Sequence, residues 1–276
     1  MNAKKTKLML YLPTTALGLV CMLLQKQILI HGYDEKGLLI ARNPAFWILW
    51  VLSLGFLSAV VWLLPKLGDA GTYRMNFPAC MLSGGIMMAA GVLMALHGLS
   101  MLIWGGERLL ALGGVVAGGA MGICGLFRLR GAHPLFWFDS AVCLYLIGQL
   151  MTNYRIWNAD PQLQKYAFEL LAEVSVMLFA LHRARCAGGM MDRKRMVFWG
   201  FAGIFLCLVA LADGQDPLFY LAGGLWCAGG MCELKRFKKR KKSPEPAPEE
   251  AAEAPEEIVE EVQVILPENP SESAEA

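Results

Sequence analysis

Residues 79–127 read ACMLSGGIMMAAGVLMALHGLSMLIWGGERLLALGGVVAGGAMGICGLF, two apolar blocks separated by the short polar turn 105–108. Each block has about the 20 residues that a helix needs to cross roughly 30 Å of hydrocarbon. Long apolar blocks with short polar connections recur over residues 8–233. The sequence therefore predicts an all-α, polytopic bundle of transmembrane helices.

The composition favours a membrane protein over a large soluble domain. Of the 276 residues 56% are apolar, and the mean hydropathy is +0.46. A soluble domain of this length does not hide so much apolar surface from water. We expect a transmembrane domain over residues 1–234 with eight spans, at 8–30, 46–64, 79–103, 109–127, 135–151, 167–185, 196–212 and 217–233.

Two of these spans are less clearly marked than the others. Span four is rich in glycine, and span five is short and contains Asp139. Six spans with the same chain ends are therefore the alternative. Span one follows a basic N-terminus like that of a secretory signal, but it is too long for one and lacks an A-x-A-like cleavage site, so we expect it to remain uncleaved.

Basic residues are divided unevenly between the two sides of the predicted bundle. If the eight spans alternate in direction, 19 of the 25 Lys and Arg residues fall on one side. Translocation of basic residues across a membrane is disfavoured, so this side is expected to be cytoplasmic. Both chain ends are then predicted to lie in the cytoplasm.

A polybasic segment, 235–242, follows the last span. Its positive charges are expected to contact anionic lipid headgroups at the inner face, at about 1 kcal/mol each near the surface. Anchoring and topology are sufficient reasons for such a segment, and no nucleic-acid partner is predicted. The seven basic residues are Lys235, Arg236, Lys238, Lys239, Arg240, Lys241 and Lys242.

The tail from Ser243 to the end contains eleven Glu and no Lys or Arg. Such a composition cannot bury a core, so residues 243–276 are predicted to be a disordered cytoplasmic tail. Within it, an apolar stretch begins at Ile258 and ends at Leu266. This stretch either folds on a cytoplasmic protein partner or is an apolar part of a linker.

Ionisable residues inside a span are costly, and they are the first functional candidates in a membrane protein. His97 lies deep in span three, Asp139 near the inner end of span five, and Glu169 and Glu173 near the outer end of span six. The two glutamates share one helical face, where close like charges favour a bound proton or cation. Alternatively, both carboxylates face water at the membrane rim.

Small residues recur at four-residue spacing in span four, at Gly114, Gly118 and Gly122. Small faces let helices approach closely, which drives helix association in lipid. We expect these glycines to pack inside the bundle, with a homodimer interface as the alternative.

Soluble-style catalysis is not predicted, because no Walker-type loop, H-E-x-x-H or G-x-S-x-G motif is present. The eight cysteines fall almost wholly within apolar blocks or at their ends, and they form no C-x-x-C pair. Free thiols in such surroundings behave as small hydrophobes. We therefore predict no catalytic residue, no metal site and no cofactor.

The outer turn YDEKGLL at residues 33–39, between span one and a second span beginning near Phe46 and Trp47, resembles uncharacterised multi-pass membrane proteins of gut Firmicutes. Those proteins carry a similar aromatic-Asp-x-x-x-Gly-Leu turn after their first span. The resemblance covers about the first quarter of the chain. It implies a multi-pass protein of a bacterial plasma membrane and transfers no activity and no site residue.

Three functional hypotheses follow from the sequence. The preferred one is a non-enzymatic scaffold or accessory subunit whose basic inner face and acidic tail meet a lipid or protein partner. The alternative is a proton- or cation-coupled transporter of ions or small solutes that uses Glu169 and Glu173, with His97 deeper in the same path. A membrane-embedded enzyme comes third.

Overall fold

In the computed structural model, long helices pack side by side into a bundle within the unit Met1–Lys238. The predicted outer turn, the polybasic segment and the acidic tail lie outside the described residues. Side chains before Tyr11 are likewise not described. The residues that the structure describes are 3–32, 44–67, 73–105, 107–158, 163–190 and 192–234.

All regular structure in the described residues is helical, which confirms the all-α prediction. Each predicted span falls on one of eight long helices. Two short 3-10 helices, Leu64–Leu67 and Leu163–Tyr166, lie in the connections. The α-helices are α1 (Ala3–His31), α2 (Pro44–Leu63), the single-turn α3 (Tyr73–Asn76), α4 (Met81–Ile103), α5 (Arg108–Leu129), α6 (Phe136–Trp157), α7 (Ala167–Ala187), α8 (Arg193–Ala210) and α9 (Pro217–Cys232).

Four of these helices are long and apolar enough to cross a membrane: Tyr11–His31 within α1, and the whole of α2, α4 and α5. Helix α9 is apolar but has only 16 residues. Polar and charged residues within α6, α7 and α8 lower their hydropathy, and three basic residues occupy the first turn of α8. The structure therefore supports a helical membrane protein with four clear spans.

Helix α6 is longer than the predicted span five, which was expected to end at residue 151. The structure continues the helix to Trp157. The reason lies in the packing of its last turns: Asn153 donates a hydrogen bond to α7, and the Trp157 ring stacks on Tyr166 with the ring centres 5.3 Å apart. Part of the polar stretch predicted to be a loop is thus helix.

Helices α4 and α5 pack closely against each other, through glycines on both partners. A Cβ atom added at Gly91 would lie 2.5 Å from the backbone nitrogen of Gly122, and one added at Gly118 would lie 2.5 Å from that of Ala95. Gly114 faces Gly98 across the same interface. The predicted packing glycines therefore lie at an intramolecular contact, with Gly122 contributing backbone only, since its own Cβ direction is open.

Consecutive helices from α4 to α9 run antiparallel. Gly84 near the start of α4 faces the end of α5, and Gly98 near the end of α4 faces the start of α5. Asn153 near the end of α6 meets Glu173 near the start of α7. Helix α9 packs against α4, α7 and α8, and α1 packs on α8. In this antiparallel order, the N-terminal ends of every second helix lie at the same end of the bundle.

Candidate functional site

Buried polar side chains form two clusters at opposite ends of α6, α7 and α9. Ten residues separate Glu173 from Arg183 on α7, which places the clusters about 15 Å apart along the helix. The carboxylate cluster comprises Asn153, Glu169, Glu173, Asp213, Asp216 and Tyr220. The ion-pair cluster comprises Arg128, Asp139, Arg183 and Glu233.

Glu173 is the centre of the carboxylate cluster. Its Oε1 accepts hydrogen bonds from Asn153 Nδ2 at 2.5 Å and from the Tyr220 hydroxyl at 3.4 Å. Its Oε2 has no hydrogen-bond partner among the described residues, although the side chain is only 1% exposed. A buried carboxylate oxygen of this kind is ready to hold a proton or a cation.

Glu169 lies one turn before Glu173 and is 3% exposed. Its carboxyl group lies against that of Asp213, in the connection between α8 and α9. Asp216 adds a further negative charge close to Glu173, and Lys165 contributes a positive charge on the side of Glu169. Both glutamates thus face other acidic groups inside the protein, and their side chains are not exposed to water at a rim.

His97 lies at the edge of this cluster, six residues before the end of α4. Its Nδ1 is 4.0 Å from Oδ1 of Asp216, which is longer than a hydrogen bond, and its ring packs on Phe219 with the centres 5.5 Å apart. The ring is buried, and Nε2 has no partner among the described residues. Its nearest acidic contact is the half-exposed Asp216.

Asp139 belongs to the other cluster. Its Oδ1 lies 3.3 Å from Arg183 Nε, and Glu233 Oε2 lies 3.1 Å from Arg128 Nη1. All four side chains are at most 1% exposed. Burial of two arginines is tolerated here because each lies against a carboxylate. The structure therefore separates Asp139 from the three other ionisable residues that the sequence singled out.

Arg128 is held by groups that precede α4 and follow α5. It donates to the Tyr73 hydroxyl at 2.6 Å and to His133 Nδ1 at 2.8 Å. Burial raises the pKa of Tyr73 to about 12, although the adjacent Arg128 guanidinium acts in the opposite direction. The phenol consequently keeps its proton at neutral pH and remains a neutral partner.

Glu233 and Arg183 are held by further neighbours. The Ser83 hydroxyl lies 2.7 Å from Oε1 of Glu233, and the Arg183 guanidinium stacks over the Trp226 ring at 4.3 Å. Cys124 Sγ lies 3.8 Å from Oδ1 of Asp139. The cluster thereby joins α4, α5, α6, α7 and α9.

The sequence interpretation missed Arg128, Arg183 and Glu233 as members of a site. Both arginines lie at the ends of predicted spans and are among the 19 basic residues of the predicted inner side, so the sequence offered topology as a sufficient reason for them. The available signal was the presence of acids, Asp139 and Glu233, at span ends that were otherwise basic. An acid among buried bases indicates an ion pair.

Among the described residues no group of three or more His, Cys, Asp or Glu side chains has the geometry to hold a metal ion. The chain matches no known protein family, and neither a curated protein nor a solved structure is similar to it.

Proposed function

We propose that the protein is an eight-span transporter of a bacterial plasma membrane, with both ends in the cytoplasm, and that Glu169 and Glu173 bind the proton or cation that couples transport. The observation that carries this proposal is the burial of both glutamates beside Asp213 and Asp216. A buried group of acids is stabilised when it takes up positive charge. Ionisable residues in such positions commonly belong to ion or proton paths.

Helix α6 supports the eight-span part of the proposal. An exposed apolar stripe runs along it through Trp137, Leu144 and Met151, each at least 64% exposed. The seven-residue spacing places these side chains on one helical face, as expected for a surface in contact with lipid. The polar residues that lower its hydropathy, Asp139 and Asn153, point to protein partners.

Tryptophans at helix ends support membrane insertion as well. Trp47 begins α2, Trp62 nearly ends it, and Trp104 follows α4; all three are more than 60% exposed. Tryptophan is enriched at both membrane–water interfaces, where its ring is amphipathic. Under the proposed topology the carboxylate cluster faces the outside and the ion-pair cluster faces the cytoplasm.

Charge movement after a pH jump tests the coupling role without a known substrate. Vesicles containing the protein are adsorbed on a solid-supported membrane, and the transient current is recorded. We expect the wild type to give a current that is lost in the double variant Glu169→Gln, Glu173→Gln. A jump in Na⁺ concentration at constant pH, recorded in the same way, distinguishes coupling to sodium ions from coupling to protons.

Glu107→Gln is the matched control, because Glu107 is exposed at the start of α5 and undergoes the same chemical change. It is expected to leave the current unchanged. If the double variant gave wild-type currents in both jumps, the carboxylates would have no coupling role.

The scaffold hypothesis depends on the polybasic segment and the acidic tail. Both lie outside the described residues, so it stays a prediction. Deletion of residues 243–276 tests it: an accessory subunit would lose its partner, whereas the transporter would keep its pH-jump current.

A further inference from the structure

The ion-pair cluster is sealed from water, whereas the carboxylate cluster has an accessible edge. Arg128, Asp139, Arg183 and Glu233 are at most 1% exposed, but the Asp216 side chain is 44% exposed. Among the described residues, the carboxylate cluster therefore reaches solvent at Asp216, whereas the ion-pair cluster does not.

The same helices carry members of both clusters. Helix α7 bears Glu173 and Arg183, α6 bears Asn153 and Asp139, and α9 bears Tyr220 and ends beside Glu233. A helix moves as a nearly rigid rod, so a tilt that changes contacts at one end also changes them at the other. A movement of one of these helices therefore changes the contacts in both clusters.

The ion pairs are not fully satisfied by protein groups. Arg183 Nη2 and Asp139 Oδ2 are buried without a hydrogen-bond partner among the described residues. Water that entered the cluster would supply these missing hydrogen bonds, which lowers the free energy of a hydrated, separated arrangement. Such pairs are suited to opening and closing.

We infer that the ion-pair cluster is the inner gate of the transport path, closed in this structure, and that it separates when Glu169 and Glu173 become neutral. The inference rests on the proposed function. Neutral glutamates no longer repel Asp213 and Asp216, so the starts of α7 and α9 approach each other at the carboxylate cluster. The resulting tilt moves Arg183 on α7 away from Asp139 on α6, and Glu233 after α9 away from Arg128 on α5. The other titratable groups that face the glutamates are Tyr145, Lys165, Cys207 and Tyr220.

Cys124 is a natural reporter of the gate. Its thiol is fully buried beside Asp139. The full-length protein in nanodiscs, which expose both faces, is treated with a water-soluble maleimide, and the labelling rate of Cys124 is followed by peptide mass spectrometry. We expect slow labelling in the wild type and a rise of about tenfold or more in Arg183→Gln, because a broken buried pair lets water in.

Variants of the carboxylate cluster test whether the two clusters are coupled. Glu169→Gln, Glu173→Gln is expected to raise the Cys124 rate as well, while the exposed controls Arg185→Gln and Glu107→Gln leave it at the wild-type value. Glu173→Gln alone serves as a second variant, since Gln retains contacts with Asn153 and Tyr220 should the double variant fail to fold. The swap Asp139→Arg, Arg183→Asp is expected to restore protection.

The outcomes separate the gate from the proposed function. An unchanged Cys124 rate in Arg183→Gln, or in the glutamate variants, overturns the gate even if pH-jump currents persist. A Cys124 rate that responds in both sets while the wild type carries no current supports the coupled movement and overturns transport driven by protons or sodium ions.

Discussion

The carboxylate cluster and the ion-pair cluster share three helices, yet the charges around their buried side chains are arranged in opposite ways. Arg128 and Arg183 each face an acid, at 3.1 and 3.3 Å. Glu169 and Glu173 face further acids instead. A buried charge is tolerated when it is paired, and otherwise when a proton or cation neutralises it. The arrangement of charges, rather than the burial of the side chains, therefore distinguishes the two clusters.

The largest expected effect comes from breaking one ion pair. Arg183→Gln should lower the free energy of unfolding by about 3–5 kcal/mol, because Asp139 is left charged and buried without its partner. Denaturant titration of the protein in detergent measures this change in the free energy of unfolding. Arg185→Gln, at an exposed position on the same helix, is the control. Equal stability of the two variants would show that the ion pair does not stabilise the fold.

The spacing of α4 and α5 should matter next. Gly118→Ala places a Cβ 2.5 Å from the Ala95 backbone nitrogen, so we expect a loss of about 1–3 kcal/mol from overpacking. Its neighbour Gly119 has open space, and Gly119→Ala is the matched control. Thermal unfolding compares the two, and similar melting temperatures would show that the helices separate without strain.

Glu173→Gln should change stability far less than Arg183→Gln. Gln keeps the shape and an acceptor for Asn153 and Tyr220 while removing an unpaired charge, so we expect a change within about 1 kcal/mol. The same denaturant titration measures it. A loss as large as that of Arg183→Gln would mean that Glu173 holds the fold together and that the two clusters are alike.

The smallest effect is expected at the exposed pair between Asp192 and Arg195. These groups are 3.0 Å apart, but the Arg195 side chain is 66% exposed. Arg195→Gln should lower stability by no more than about 0.5 kcal/mol, since water and salt screen such pairs. Raising the salt concentration should erase this difference and preserve that of Arg183→Gln.

The sequence identified the two glutamates of the carboxylate cluster, but it did not identify the acidic residues that they face. Glu169 and Glu173 stand out because charges are rare in apolar blocks. Asp213 and Asp216 lie in the short connection between the last two predicted spans, and nothing in their spacing indicates that α8 and α9 bring them to α7. The sequence did not predict that α6 continues through Asn153, because the polar residues of this stretch are typical of a loop.

The sequence by itself determined the helical class, the approximate position of each long helix and the small face of α5, because apolar blocks and glycine spacing are local properties. Only the tertiary structure decided which charges meet. Arg183 and Asp139 are far apart in the chain, and their pairing depends on the antiparallel order of α6 and α7. Long-range contacts between buried charges are set by how the helices pack, and no local pattern encodes that arrangement.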